Sequence, residues 1–190
     1  MISRRQSLRR IAMVGVGVPT VWHQCALATT FLEIDQAQKL LLPQASVFTA
    51  MPLSLDAARL AQVATATQVP VPRGFAPQCW TALDNGRLQG WVLADRVIGK
   101  YELIDYAVGF AVDGNMMGLE ILAYRESHGA EIRNPAWRKQ FTGKKAPNQI
   151  RLGDDIRNIS GATLSCQHVT QGAQRLSALV QLLYQPASGV

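Results

Sequence analysis

The sequence predicts an α+β domain: an antiparallel sheet of hairpins in mid-chain, packed by helices that flank it in the chain. Three observations carry this reading. Asn85-Gly86 and Asp113-Gly114 are short-turn signals, each set between β-prone apolar runs. Apolar residues at approximate helical spacing precede them. A longer stripe of Val169, Gly172/Ala173, Leu176, Leu179/Val180 and Leu183 follows them near the C-terminus.

In chain order, residues 32–42 read as a helix with Leu32, Ile34, Ala37, Leu40 and Leu41 on its stripe, stopped by Pro43. Ser54 is placed to cap a second helix from residue 55 to about 67. The run Val69-Pro70-Val71-Pro72-Arg73-Gly74 suits neither a helix nor a central strand and reads as a linker. Strands are expected at 79–83, 88–94, 103–112 and 116–124, with Gly99 breaking the middle. In the third of these, Tyr106, Val108 and Phe110 alternate with Ala107, Gly109 and Ala111. The small side chains predict a helix lying close against their face. Asn134 as cap and Pro135 in the first turn start a short helix that ends near residues 141–143. A polar connection over 144–155 carries a candidate strand at 150–152, and the last helix runs from Thr163 to about Tyr184. Organisation follows as an export signal at 1–28, a helical N-terminal extension and linker at 29–77, and the α+β domain at 78–185.

Of the 190 residues 48% are hydrophobic and 17% charged, which excludes disorder as the main state. The net charge of +6 points toward nucleic acid at first sight. Its origin says otherwise. Residues 1–28 hold Arg4, Arg5, Arg9 and Arg10 and no acid; taking these four from 19 basic residues leaves 15 against 13 acidic ones. That balance is too weak to bind a polyanion, so no nucleic-acid partner is expected. The basic start, the short apolar run to Trp22 and Ala26-Leu27-Ala28 form a secretory signal, and Ser3-Arg4-Arg5-Gln6-Ser7-Leu8-Arg9 resembles a twin-arginine one. Export to the periplasm, or retention on the outer side of the inner membrane if the signal stays as an anchor, is the expected location. An oxidising compartment permits a bridge between Cys79 and Cys166, but two free thiols are the favoured reading. His128 and His168 show no metal-ligand spacing.

The chemistry is concentrated in Ser160-Gly161-Ala162-Thr163-Leu164-Ser165, where a loop becomes the last helix. Backbone N–H groups at a helix start lack partners and carry partial positive charge, so a phosphate is stabilised there. Gly161 permits close approach, and Ser160, Thr163 and Ser165 add hydroxyls. A plain helix cap by Ser160 or Thr163 explains the same residues, and on the residues alone it is the favoured reading.

The segment resembles the flavinylation motif of the FMN-binding domain family, which includes the peripheral flavin subunits of the Rnf and sodium-translocating NADH:quinone reductase complexes. Three other segments follow the family's order. Asp113-Gly114 with Gly118-Leu119-Glu120-Ile121-Leu122 fits its second hairpin. Tyr124-Arg125-Glu126-Ser127-His128-Gly129 resembles its Glu-Thr-Pro-Gly loop, with His128 at the proline position. Trp137, Gln140, Phe141, Gly143 and Lys144 fit its Trp-x-x-Gln-Phe-x-Gly-Lys stretch. Arg157 stands where the family often has Asp, three residues before the motif serine.

The resemblance implies a covalent FMN, joined by a phosphodiester to Thr163 by a separate flavin transferase that uses FAD. It implies that Ser160, Gly161, Ala162, Leu164 and Ser165 surround the attachment point. Glu126, Ser127 and Gly129 would lie beside the flavin. Trp137 would lie near the ring or anchor the short helix. The implied function is extracytoplasmic electron transfer between membrane-bound redox partners. A flavin-dependent reductase, and a non-redox binding or assembly module without cofactor, are the alternatives.

Overall fold

The computed structural model describes residues 29–184 of the chain. The expected export signal at 1–28 lies outside the described residues. Six antiparallel strands form one sheet in the order β1-β6-β5-β4-β3-β2. They are β1 (Thr29–Thr30), β2 (Val47–Ala50), β3 (Gln78–Asp84), β4 (Arg87–Ile98), β5 (Leu103–Ala111) and β6 (Met116–Tyr124). The hairpins are where the turn signals put them: Asn85 and Gly86 both take positive φ, at 48° and 76°, as the tight β3–β4 turn requires.

The helices are α1 (Ile34–Leu41), α2 (Ala57–Thr67), α3 (Pro135–Arg138) and α4 (Thr163–Tyr184). The α+β architecture is therefore as predicted, and α4 spans the expected residues. The N-terminal stretch differs in two ways. Besides its helices it supplies both edge strands, β1 on β6 and β2 on β3. The cap of α2 is also not Ser54. Asp56 accepts the Arg59 N–H at 2.7 Å, and the Ser54 carbonyl accepts from the Arg59 guanidinium. A carboxylate facing free N–H groups outcompetes a hydroxyl two residues away. The candidate strand at 150–152 is a single bridge between Leu152 and Ile156, because Asp155 folds the intervening turn back onto the Arg151 N–H.

The sheet carries a core on each face. On one, Tyr106, Val108 and Phe110 pack with Trp91, Leu93, Leu119 and Ile121 under α4 and α2. On the other, Ala107, Val92, Ala94 and Ala82 pack under Ala37 and Leu41 of α1. Small residues on this second face bring the helix close, as the alternation predicts. A Cβ on Gly109 would lie 2.8 Å from the Leu41 Cβ. Among the described residues no helix is long and apolar enough to cross a membrane.

Candidate functional site

The site forms at one end of the sheet, where β4 ends, β5 begins and β6 ends. Residues 125–134 leave β6 there and α4 starts beside them. The loop and the motif touch directly. Gly129 has φ 86°, and a Cβ on it would lie 2.6 Å from the Tyr124 hydroxyl and 3.2 Å from the Ala162 Cβ. Only glycine serves at this crossing.

Tyr124, the last residue of β6, ties the pieces together. Its hydroxyl donates to the His128 carbonyl, so its single proton is spent. The Ser165 hydroxyl, 3.1 Å away, therefore donates to it. Burial pushes the Tyr124 phenol above its ordinary pKa and keeps it a donor at neutral pH.

A second clamp holds the approach to the motif. The Trp137 indole N–H donates to the Arg157 carbonyl at 2.7 Å, and the Arg157 N–H donates to Gln140 Oε1 at 2.9 Å. Two residues at i and i+3 on α3 and the turn after it thus grip both backbone groups of one residue, three before Ser160. Trp137 is 4% exposed and meets Phe141 edge to face at 5.1 Å between centroids. Its place in the structure is that of an anchor.

Between the clamps the motif turns outward. Ser160, Gly161, Thr163 and Leu164 are exposed, while Ala162 and Ser165 point inward. Gly161 has φ 86°, and the space a side chain would take is open. The first bond back into α4 runs from the Cys166 N–H to the Ala162 carbonyl. The N–H groups of Thr163, Leu164 and Ser165 thus have no helical acceptor. The Thr163 hydroxyl accepts from Asn158 Nδ2 at 3.1 Å and faces solvent. An exposed hydroxyl on the first residue of a helix whose first three N–H groups lack helical acceptors, with a glycine and open space two residues before it, fits a phosphate ester. These residues suit FMN attached through its phosphate.

Glu126 joins the loop to a neighbouring turn. Its Oε1 accepts the N–H groups of Tyr101, at 2.6 Å, and Glu102, at 3.0 Å, and so fastens the β4–β5 turn to the loop. Partial desolvation pushes this carboxyl up, but the N–H groups of Glu102, Tyr101 and Lys100 and the Lys100 charge outweigh it and hold the group below its ordinary pKa. Ser127 is exposed and pairs with the His128 ring at 3.0 Å. His168, on α4, donates from Nδ1 to the Ile98 carbonyl at 2.6 Å, tying α4 to the same turn.

Cys79 and Cys166 are free and buried, and burial raises the Cys79 thiol to about 11. Among the described residues no cluster of His, Cys, Asp or Glu has a metal-binding arrangement. The roles of Tyr124, Asn158 and His168 do not follow from the sequence. Tyr124 alone lies within one of the sequence motifs; nothing in the spacing marks the other two. A groove of about 1050 Å³ is lined by His168, five residues further along α4, but not by Thr163.

Residues 99–178 match the FMN-binding domain family, so the resemblance carried by the sequence motifs holds over that stretch. No curated protein sequence matches the chain. Among solved structures, NqrC of Shewanella oneidensis is similar at a TM-score of 0.52 and 18% identity, covering 78% of this chain and 96% of its own. A Na⁺-translocating NADH-quinone reductase subunit from Parabacteroides distasonis is similar at 0.50 and 18%, covering 82% and 86%. At this identity the likeness is one of fold.

Proposed function

We propose that this chain is an electron-transfer flavoprotein that carries FMN as a phosphodiester on Thr163. The observation that carries this reading is the exposed Thr163 at the start of α4, whose first N–H groups lack helical acceptors, two residues after Gly161 and next to Ala162, which meets Gly129. The FMN-binding domain match over 99–178 includes both segments. The flavin supplies the redox chemistry when bound. The protein's part is to hold and orient it. The N–H groups of Thr163, Leu164 and Ser165 would take the phosphate charge. Tyr124 and Ser165 fix the loop against the helix, and the Trp137–Gln140 clamp fixes the strand-like approach. Arg157, exposed three residues before Ser160, adds a positive charge near the attachment point.

A flavin transferase using FAD is the modifying partner. Membrane-bound redox proteins are the electron donor and acceptor, in line with the reductase subunits whose fold the chain shares. The signal-like residues 1–28 support a location outside the inner membrane. There a covalent tether keeps the cofactor from diffusing away.

The test is intact mass after co-expression with the transferase. The chain should gain one FMN, Thr163→Ser should retain it and Thr163→Ala should lose it. An unmodified wild-type chain overturns the reading. A second reading, a flavin-dependent reductase, draws on one observation, the groove lined by His168 of the same helix. Saturable turnover of a small acceptor by the flavinylated chain would favour it over transfer between proteins.

A further inference from the structure

The groove lies along β4 beyond residue 94, where β3 has ended at Gln78 and no strand covers that edge. Its wall on the α4 side is made by Pro70 and Phe75 of the linker, Val97 of β4, and His168 and Arg175 of α4. Arg175 is the anomaly. It is 4% exposed and carries a charge into an apolar wall. Its Nη1 has one long bond, 3.3 Å, to the Pro70 carbonyl, its guanidinium lies 5.9 Å from the Phe75 ring centre, and its Nε has no partner. Among the described residues no carboxylate lies within ion-pair distance of it.

The nearby acids are otherwise engaged. Asp95 accepts the Tyr106 hydroxyl at 3.1 Å and feels the Arg175 charge without bonding to it; burial outweighs these and raises its pKa. Asp105 is shared between Arg96 and Arg125. A buried guanidinium left this way costs stability unless an anion meets it.

We propose that the groove binds an amphipathic organic carboxylate, its head group on Arg175 and its apolar body along Phe75 and Val97. One buried guanidinium balances one negative charge, and a planar carboxylate matches its fork of donors. The volume, about 1050 Å³, is ample for a ligand of this kind. This inference uses neither Thr163 nor the flavin, so it stands or falls apart from the preceding one.

The experiment is calorimetric titration of the full chain with laurate below its micelle concentration, with dodecanol as the uncharged control. Laurate should bind saturably at one site, and dodecanol far more weakly. Arg175→Gln should weaken laurate binding about thirtyfold, as expected for loss of a charged hydrogen-bonded partner. Ala76→Trp, which narrows the groove from an exposed position and leaves Arg175 in place, should also weaken it. If Arg175→Gln does not fold, Ala76→Trp decides. No laurate binding by the wild type, equal affinity for dodecanol, or binding unchanged in a folded variant overturns the proposal.

Discussion

The two faces of the sheet reach close helix packing by opposite means. Under α4 the sheet contributes the large residue and the helix the small one. Tyr106 is fully buried, and Gly172 of α4 leaves room for its hydroxyl. Under α1 the roles reverse, and Gly109 of the sheet leaves room for Leu41 of the helix. The difference matters because only α4 carries the motif. The large-residue face fixes the depth and rotation of the helix whose first turn presents Thr163. The small-residue face lies under a helix with no part in the site.

The largest effect should come from closing the gap on the α4 face. An alanine at Gly172 would collide with the Tyr106 hydroxyl. Overpacking outweighs the better helix propensity of alanine, so a net loss of about 2 kcal/mol is expected. Thermal unfolding would measure it. Because α4 must shift, FMN incorporated per chain should fall as well. Tyr106→Phe removes the colliding atom and should restore part of both in the double variant. Gly109→Ala should cost about 1 kcal/mol, since the added methyl meets a single residue, Leu41, at its Cβ and backbone carbonyl, less closely than at Gly172. It should leave flavin incorporation unchanged. Equal loss of flavin in the two variants would break the distinction between the faces.

A smaller effect should come from the clamp. Trp137→Phe keeps the ring packing on Phe141 but removes the bond to the Arg157 carbonyl. A partly buried hydrogen bond is lost, at about 1 kcal/mol. Flavin incorporation should drop more than stability does, because the lost bond positions the segment just before Ser160. Unchanged incorporation with lowered stability would make Trp137 a core residue with no bearing on the motif.

The sheet and α4 were legible because their signals are local: Asn-Gly and Asp-Gly turns, large residues alternating with small ones at 106–111, and a long helical stripe. The two edge strands were not. Val47–Ala50 is four residues long, and Thr29–Thr30 is two, too short for any periodicity to show. Within the site, the sequence marked Gly129 and the 160–165 segment, and the structure brings Gly129 and Ala162 into contact. It did not show what Glu126 and Trp137 hold. Their partners, the N–H groups of residues 101 and 102 and the carbonyl of residue 157, are backbone groups distant in sequence. No residue type at those positions announces them. Arg175 was hidden for a related reason, since a basic residue on a helix reads as surface until the linker is seen folded over it.

The smallest effect is a dependence on pH, and it separates the loop from the α1 face. The Glu126 carboxylate accepts N–H groups of the β4–β5 turn, and its pKa in the folded chain lies below the ordinary value of 4.5. The stabilising contribution is therefore complete above about pH 4.5 and is lost as the pH falls through the lower folded-state value. Glu126→Gln should flatten the acid side of the stability curve while changing it little at neutral pH, since a glutamine oxygen still accepts one N–H. The α1 face holds its contacts through apolar side chains, so Gly109→Ala should keep the wild-type acid limb. An acid limb that stays as steep in Glu126→Gln as in the wild type would mean that the turn is held by its backbone alone.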